Sequence, residues 1–349
     1  MTKYFFSKKN GKFFPYIIAE IGVNHECSLK KAKKLIDLAA LSGASSAKFQ
    51  TYKAEKLASK HSPAYWDMKK EKTSSQYVLF KKYDKFDYYH YKELYIHCKK
   101  KKIEFSSTPF DEEAVDFLNP FLKFFKIASA DINNLPLLKK VASKKKPVIL
   151  STGASNISEI KFAVNYLKKF GCKEIVIMHC ILSYPTSDEN ANLDMISHLK
   201  KIFPNNIIGY SDHTLPNKNM INLVTANILG AQVIEKHFTN NKKKKGNDHF
   251  HSMDSSDLKE FFKSYKKIKQ IRGKNNKEVI KCELKSRKYA RRSIVISKDI
   301  KKGESIVKSF LTTKRPGTGV TPNFIDKIIG KKAKKNLKSD HVLQWSDIK

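Results

Sequence analysis

Two histidines stand in unusual local sequences, Ser211-Asp212-His213-Thr214 and Glu235-Lys236-His237-Phe238, each where an apolar run ends. They lie 24 residues apart, about the length of one strand–helix unit. Two imidazoles at the ends of successive strands can converge on one ion. Imidazole with oxygen donors suits a transition metal or Mn²⁺, with positions left open for water and substrate. Two lysines, Lys48 and Lys126, also close apolar runs, near Thr108, Ser129, Ser151 and Ser211. Lysine supplies a point charge and hydroxyls supply hydrogen bonds, the ingredients of a phosphate or carboxylate site. Each residue alone reads as a solvated charge or a hydrogen-bonded ring. Lys236 points to the other face of a strand from His237 and reads as a structural group. His249 and His251 read as loop histidines.

Positioning these groups takes a repeated scaffold. Short apolar runs of β type recur at Tyr16–Ile21, Ser46–Phe49, Glu104–Thr108, Phe124–Ala128, Val148–Ser151, Ile175–Cys180, Ile207–Ser211 and Val233–Phe238. Most are apolar throughout, as strands buried on both faces should be. Between most of them lie helical periods, such as Leu29, Ala32, Leu35, Ile36 and Ala39 on one stripe. Eight alternating units predict a (β/α)8 barrel, with a doubly wound sheet as the alternative. In a barrel, active residues sit at the C-terminal ends of the strands, and all eight ends here are polar. Residues 51–90 form a long second loop suited to a lid. The barrel is expected over residues 1–272, a charged linker over 273–288, and a small β-rich domain over 289–349.

The formal net charge of +36 invites a nucleic-acid partner. Only five of the 69 basic residues are arginine, however, and the lysines are scattered along the chain. That pattern fits a solvated surface better than a nucleic-acid groove. The basic run Lys242–Lys245 reads as a solvated loop. Five well-separated cysteines form no CxxC pair, which fits reduced thiols in a cytoplasm. The polar, basic stretch Met1–Phe14 lacks the apolar core of a signal peptide, and no run is long enough to span a membrane.

Ordered local sequences add more. Ala19-Glu20-Ile21-Gly22-Val23-Asn24-His25, Lys48-Phe49-Gln50, Ser107-Thr108-Pro109-Phe110, Lys126-Ile127-Ala128-Ser129, Ser151-Thr152-Gly153, Tyr184-Pro185-Thr186, Ser211-Asp212-His213-Thr214 and Glu235-Lys236-His237-Phe238-Thr239 resemble the sialic acid synthase (N-acetylneuraminate synthase) family. Arg291-Arg292-Ser293 and Arg315-Pro316-Gly317-Thr318-Gly319 resemble its C-terminal antifreeze-like (SAF) domain. The resemblance implies condensation of phosphoenolpyruvate with the aldehyde of an N-acylated mannosamine-type sugar, giving a nonulosonic acid and phosphate. It implies that His213 and His237 hold a divalent metal, Mn²⁺ with Mg²⁺ or Co²⁺ as alternatives. Lys48, Thr108, Lys126, Ser129, Ser151 and Ser211 would bind phosphoenolpyruvate. Glu20 and Asp131 would handle protons, and Gln50, Tyr184 and Asp248 would contact the sugar. Arg315 would reach the sugar of the partner subunit in a domain-swapped homodimer.

The chain departs from that family at three places. Leu182 stands where sialic acid-forming members have an asparagine, which opens the alternative of a legionaminic- or pseudaminic-type synthase using a diacetamido hexose. Asp131 replaces a glutamate found in some members, and Cys27 replaces a usual glycine.

Overall fold

The computed structural model describes residues 15–66, 68–69, 71–244 and 247–349, preceded by a short strand pair at Lys8–Lys9 and Lys12–Phe13. The rest of Met1–Phe14, Lys245 and Gly246 lie outside the described residues. The eight expected strands all form. They are β1 (Tyr16–Gly22), β2 (Ser46–Thr51), β3 (Glu104–Pro109), β4 (Phe125–Ile127), β5 (Val148–Ser151), β6 (Ile175–Cys180), β7 (Ile207–Asp212) and β8 (Val233–His237). All ladders are parallel, in the order β3-β2-β1-β8-β7-β6-β5-β4. Pairing of β1 with β8 curls the sheet round, and β3 and β4 pack side by side at the remaining seam. This is the near-closed ring of a (β/α)8 barrel, and the doubly wound sheet is excluded.

Alternate residues of each strand divide between two cores. Tyr16, Ile18, Phe124, Ile149, Val176, Met178 and Val233 fill the lumen. Their neighbours, among them Ile17, Ala47, Phe125, Leu150, Ile177 and Ile234, pack outward against the helices. The lumen is tight at Gly209, where a Cβ would lie 2.7 Å from the Val233 carbonyl oxygen.

Helix α1 (Leu29–Leu41) starts where the Ser28 hydroxyl accepts from Lys31 N. It buries Ala32, Leu35, Ile36 and Ala39. Helix α2 (Ile157–Lys169) opens with an Asn156–Glu159 capping box and buries Ile160, Ala163, Val164 and Leu167. Each such leucine or isoleucine contributes about 1.5–3 kcal/mol by leaving water. Helix α3 (Ser255–Arg272) follows the last strand.

Within the basic run before α3, expected from sequence to be a solvated loop, two lysines have carboxylate partners and Lys243 is exposed. Lys242 pairs with Asp254 and Asp257 at 3.2 and 2.7 Å, and Lys244 with Glu26 at 2.6 Å. Three nearby carboxylates give these cations fixed partners.

The chain divides into two compact units, Met1–Ile271 and Arg272–Lys349. The stretch 273–288 includes the start of an exposed helix, α4 (Leu284–Ala290). The second unit pairs β9 (Ser293–Ile296) antiparallel with β10 (Leu311–Lys314). Its own core includes Ile294, Ile296, Ile300, Ile306, Val320 and Leu343. No helix among the described residues is long and apolar enough to cross a membrane.

Candidate active site

Strand alternation decides which polar groups meet. Continuing the lumen positions of each strand past the apolar layer reaches Glu20, Lys48, Lys126, Ser151, Ser211, Glu235 and His237. All seven side chains are buried. Lys48 Nζ lies 2.6 Å from Glu20 Oε2 and 3.8 Å from Glu235 Oε2, and donates to Thr108 Oγ1 at 3.1 Å. Lys126 Nζ lies 3.2 Å from Glu235 Oε1, which also accepts from Ser211 Oγ at 3.1 Å. Gln50 Nε2 donates to Glu20 Oε1 at 2.9 Å. Ser151 Oγ is buried without a hydrogen-bond partner among the described residues. Two cations and two carboxylates thus share one floor.

Burial raises the Glu20 carboxyl above its usual range; Lys48 opposes the rise and Glu235 adds to it. Burial acts the same way on Glu235, but Lys126 and Lys48 outweigh it and hold that carboxyl low. Charges so deeply buried are expensive, several kcal/mol per ion, so their concentration at the strand ends marks function rather than stability.

The histidines stand beside this floor. His213 and His237 have ring centres 5.6 Å apart. His213 Nδ1 donates to the Ile181 carbonyl at 2.7 Å, which leaves Nε2 free to bind an ion. Tyr184 stacks 4.1 Å from His213. His237 Nδ1 lies 3.3 Å from Asp248 Oδ2, without a formed hydrogen bond. His251 closes the group, 4.8 Å from His237. Burial, then the neighbouring His251 and His213, pull His237 far below the usual histidine range, so its ring is neutral. Burial and Glu20 push Asp248 up to about 7. The buried nitrogens of His237 and His251 that have no hydrogen-bond partner among the described residues, beside a carboxylate, suit a divalent ion.

A cleft of about 160 Å³ opens over His237, Asp248, His251, Gln50 and Tyr184. The long second loop contributes Tyr65, Trp66 and Glu71 to its wall.

The remaining expected residues are placed differently. Ser129 Oγ accepts from Gly153 N at 2.9 Å. Asp131 accepts from Asn134 in the turn after β4, and burial raises its carboxyl. Leu182 does not line the histidine cleft. It packs with Ser129 and Gly153 on a second cavity of about 680 Å³. A Cβ at Gly153 would meet Ser129 Oγ at 3.0 Å and Leu182 Cγ at 3.1 Å, so the approach is close there. Arg315 is exposed and lies in the second unit.

The profile of the NeuB family matches residues 35–277. The chain belongs to the NeuB family. The SAF domain profile matches residues 291–349, so the NeuB barrel is followed by an SAF domain. A Campylobacter jejuni relative named N,N'-diacetyllegionaminic acid synthase is 42% identical over 332 residues, covering 94% of this chain and 98% of the relative. One of the same name from Legionella pneumophila is 38% identical over 342 residues, covering 95% and 94%. The crystal structure of a Leptospira borgpetersenii N-acetylneuraminic acid synthetase, in complex with citrate, superposes with a TM-score of 0.68 at 33% identity, covering 78% of this chain and 90% of that one.

Two members of this NeuB-family site were not singled out by sequence. Glu235 counts among the polar strand ends in sequence but receives no role there, although its parity with His237 is a usable signal. His251 reads as a loop histidine, and it joins the group only through space. The structure corrects that reading: it is 1% exposed and part of the cleft wall.

Proposed function

We propose that the protein condenses phosphoenolpyruvate with the open-chain aldehyde of an N-acylated amino sugar, giving a nonulosonic acid and phosphate. The observation that carries this reading is the pair of buried lysines on a hydroxyl-lined floor beside a cluster of buried histidines. Phosphoenolpyruvate has two anionic groups, and two cations meet them. Lys48 with Thr108 would take one; Lys126 with Ser129, Ser151 and Ser211 would take the other.

C3 of phosphoenolpyruvate bonds to the aldehyde carbon, leaving an alkoxide and an oxocarbenium carbon at C2. Water adds to C2, the C2–O bond to phosphate breaks, and a ketone remains. Of the two water protons, one ends on the alkoxide and one on phosphate. Glu20, with its raised pKa, would carry a proton to the aldehyde oxygen, and Asp131 would handle the water at C2. A divalent ion held by His213 and His237, Mn²⁺ with Mg²⁺ or Co²⁺ as alternatives, would polarise that aldehyde oxygen as a Lewis acid. Gln50, Tyr184 and Asp248 would orient the sugar in the cleft, and the loop at Tyr65 and Trp66 would exclude water. Arg315 would act on the sugar of the partner subunit in a domain-swapped homodimer. Five free thiols suit a cytoplasmic setting.

The two relatives named for legionaminic acid favour a legionaminic-type sugar over N-acetylmannosamine. Leu182, on the second cavity beside Ser129 and Gly153, would act on that choice only indirectly.

Phosphate release from phosphoenolpyruvate should be measured with N-acetylmannosamine and a 2,4-diacetamido hexose, with and without Mn²⁺. Release is expected only with sugar and metal together, and faster with the diacetamido sugar. No release with any amino sugar would sink the reading.

A further inference from the structure

His251 is 1% exposed, and neither of its ring nitrogens has a hydrogen-bond partner among the described residues. A buried polar group left unpaired destabilises the fold, and folded chains keep few of them. Here one ring carries two.

Its position is fixed rather than loose. Met253 N donates to the His237 carbonyl at 2.8 Å, and Thr239 N donates to the Met253 carbonyl at 2.9 Å. These bonds extend the end of β8 with a parallel bridge, Phe238↔Met253. Asn24 Nδ2 donates to Ser252 Oγ at 3.0 Å and to the Phe238 carbonyl at 3.1 Å. The segment carrying His251 is therefore stitched to the strand end that carries His237.

The distances define a space for an ion. One ligand atom from each of His237, Asp248 and His251 lies within 4.8 Å of the others. The ring centre of His251 is 4.8 Å from that of His237 and 6.4 Å from that of His213, and the latter two are 5.6 Å apart. Imidazoles whose nitrogens each sit about 2.1 Å from one ion hold their ring centres roughly 4.5–6.4 Å apart, depending on angle.

We propose that His251 is a third imidazole ligand of the metal site, beside His213 and His237, with Asp248 as the oxygen donor. This rests on the metal-dependent reading above and alters it. Three imidazoles and a carboxylate form a nitrogen-rich donor set, which favours Co²⁺, Zn²⁺ or Fe²⁺ strongly over Mg²⁺. A two-histidine site filled out with water would discriminate far less.

The test uses the full-length, metal-free protein and Co²⁺ alone, read by calorimetry and by the visible absorption of the bound ion. Wild type should bind one Co²⁺, and Mg²⁺ far more weakly. His251→Ala should lose at least about 100-fold in Co²⁺ affinity, the upper end of what losing a supporting partner costs, and its absorption should change. His251→Asn, closer in shape, carries the same expectation if the alanine variant does not fold, as judged by circular dichroism. Wild-type affinity and absorption in the His251 variants, with loss in His237→Ala, overturn the third ligand and leave the two-histidine site standing. Failure of wild type itself to bind any divalent ion would instead overturn the metal-dependent reading beneath it.

Discussion

Glu235 is the residue on which the anion site turns. It lies between Lys48 and Lys126 and accepts from Ser211, so it occupies the ground that a ligand's negative charge would claim. With Glu20, it leaves the floor close to neutral before a ligand arrives. Lys126→Met removes the nearer cation of Glu235. Phosphoenolpyruvate KM should rise about tenfold or more and turnover should fall about 100-fold, read by steady-state phosphate release. Unchanged kinetics would remove Lys126 from the binding role. Arg315→Ala should raise the KM for sugar more than that for phosphoenolpyruvate; equal losses would count against its sugar contact. Lys48, Lys126, His213 and His237 were legible because each closes an apolar run, where a charge needs a reason. The roles of Glu235 and His251 were not, because Glu235 takes its meaning from Ser211 and Lys48, 24 and 187 residues away in sequence, and His251 meets His213 and His237 only through space.

At the level of elements, the strand faces separate chemistry from support. One residue along from Glu235, Lys236 turns to the outer face and is fully buried. Its Nζ meets Asp212 Oδ2 and the Thr214 carbonyl, both at 2.6 Å. Asp212 also accepts from Tyr210 OH and Thr214 N. This pair locks the ends of β7 and β8 together, and so sets the spacing of His213 and His237. Lys236→Met leaves Asp212 charged and buried, and should cost about 3–5 kcal/mol of stability in urea denaturation. Adding Asp212→Asn should recover part of that loss. A single variant as stable as wild type would show that the pair is not the clamp described. The eight strands were legible because their runs are apolar on both faces, and the observed ends differ from the expected ones by a residue or two. The fixed partners of Lys242 and Lys244 were not legible, since Glu26 and Asp257 approach them only after folding. The departure at Cys27 has a backbone meaning: its φ of 57° lies in the left-handed region that favours glycine.

At the scale of the molecule, two units carry separate cores, and each has its own vulnerability. In the second, Asp347 is almost fully buried and pairs with Lys335 at 2.7 Å and His341 at 2.8 Å. Burial alone would raise its carboxyl, but Lys335, His341 and Gln344 N outweigh it and hold it low. A lowered pKa in the folded state stabilises the fold above the unfolded value, about 3.9, and that contribution disappears as pH falls through the folded value. Melting of the full chain should therefore lose stability below about pH 4, and Asp347→Asn should flatten that acid limb while lowering stability at neutral pH. A variant with the wild-type acid limb would remove Asp347 as its source. Across the barrel, His237 stands in register with Glu20, Glu20 with Lys48, and Lys48 with Ser106. The working groups therefore occupy neighbouring rungs and are read in phase. Inserting one residue in β2 ahead of Lys48 would turn Lys48 and Gln50 out toward the helices and bring Ala47 and Phe49 into the lumen. Such a barrel would be chemically blank, whereas the same insertion in the loop at residues 58–75 would leave every rung in place. Length can drift between the strands of this enzyme scaffold, but not within them.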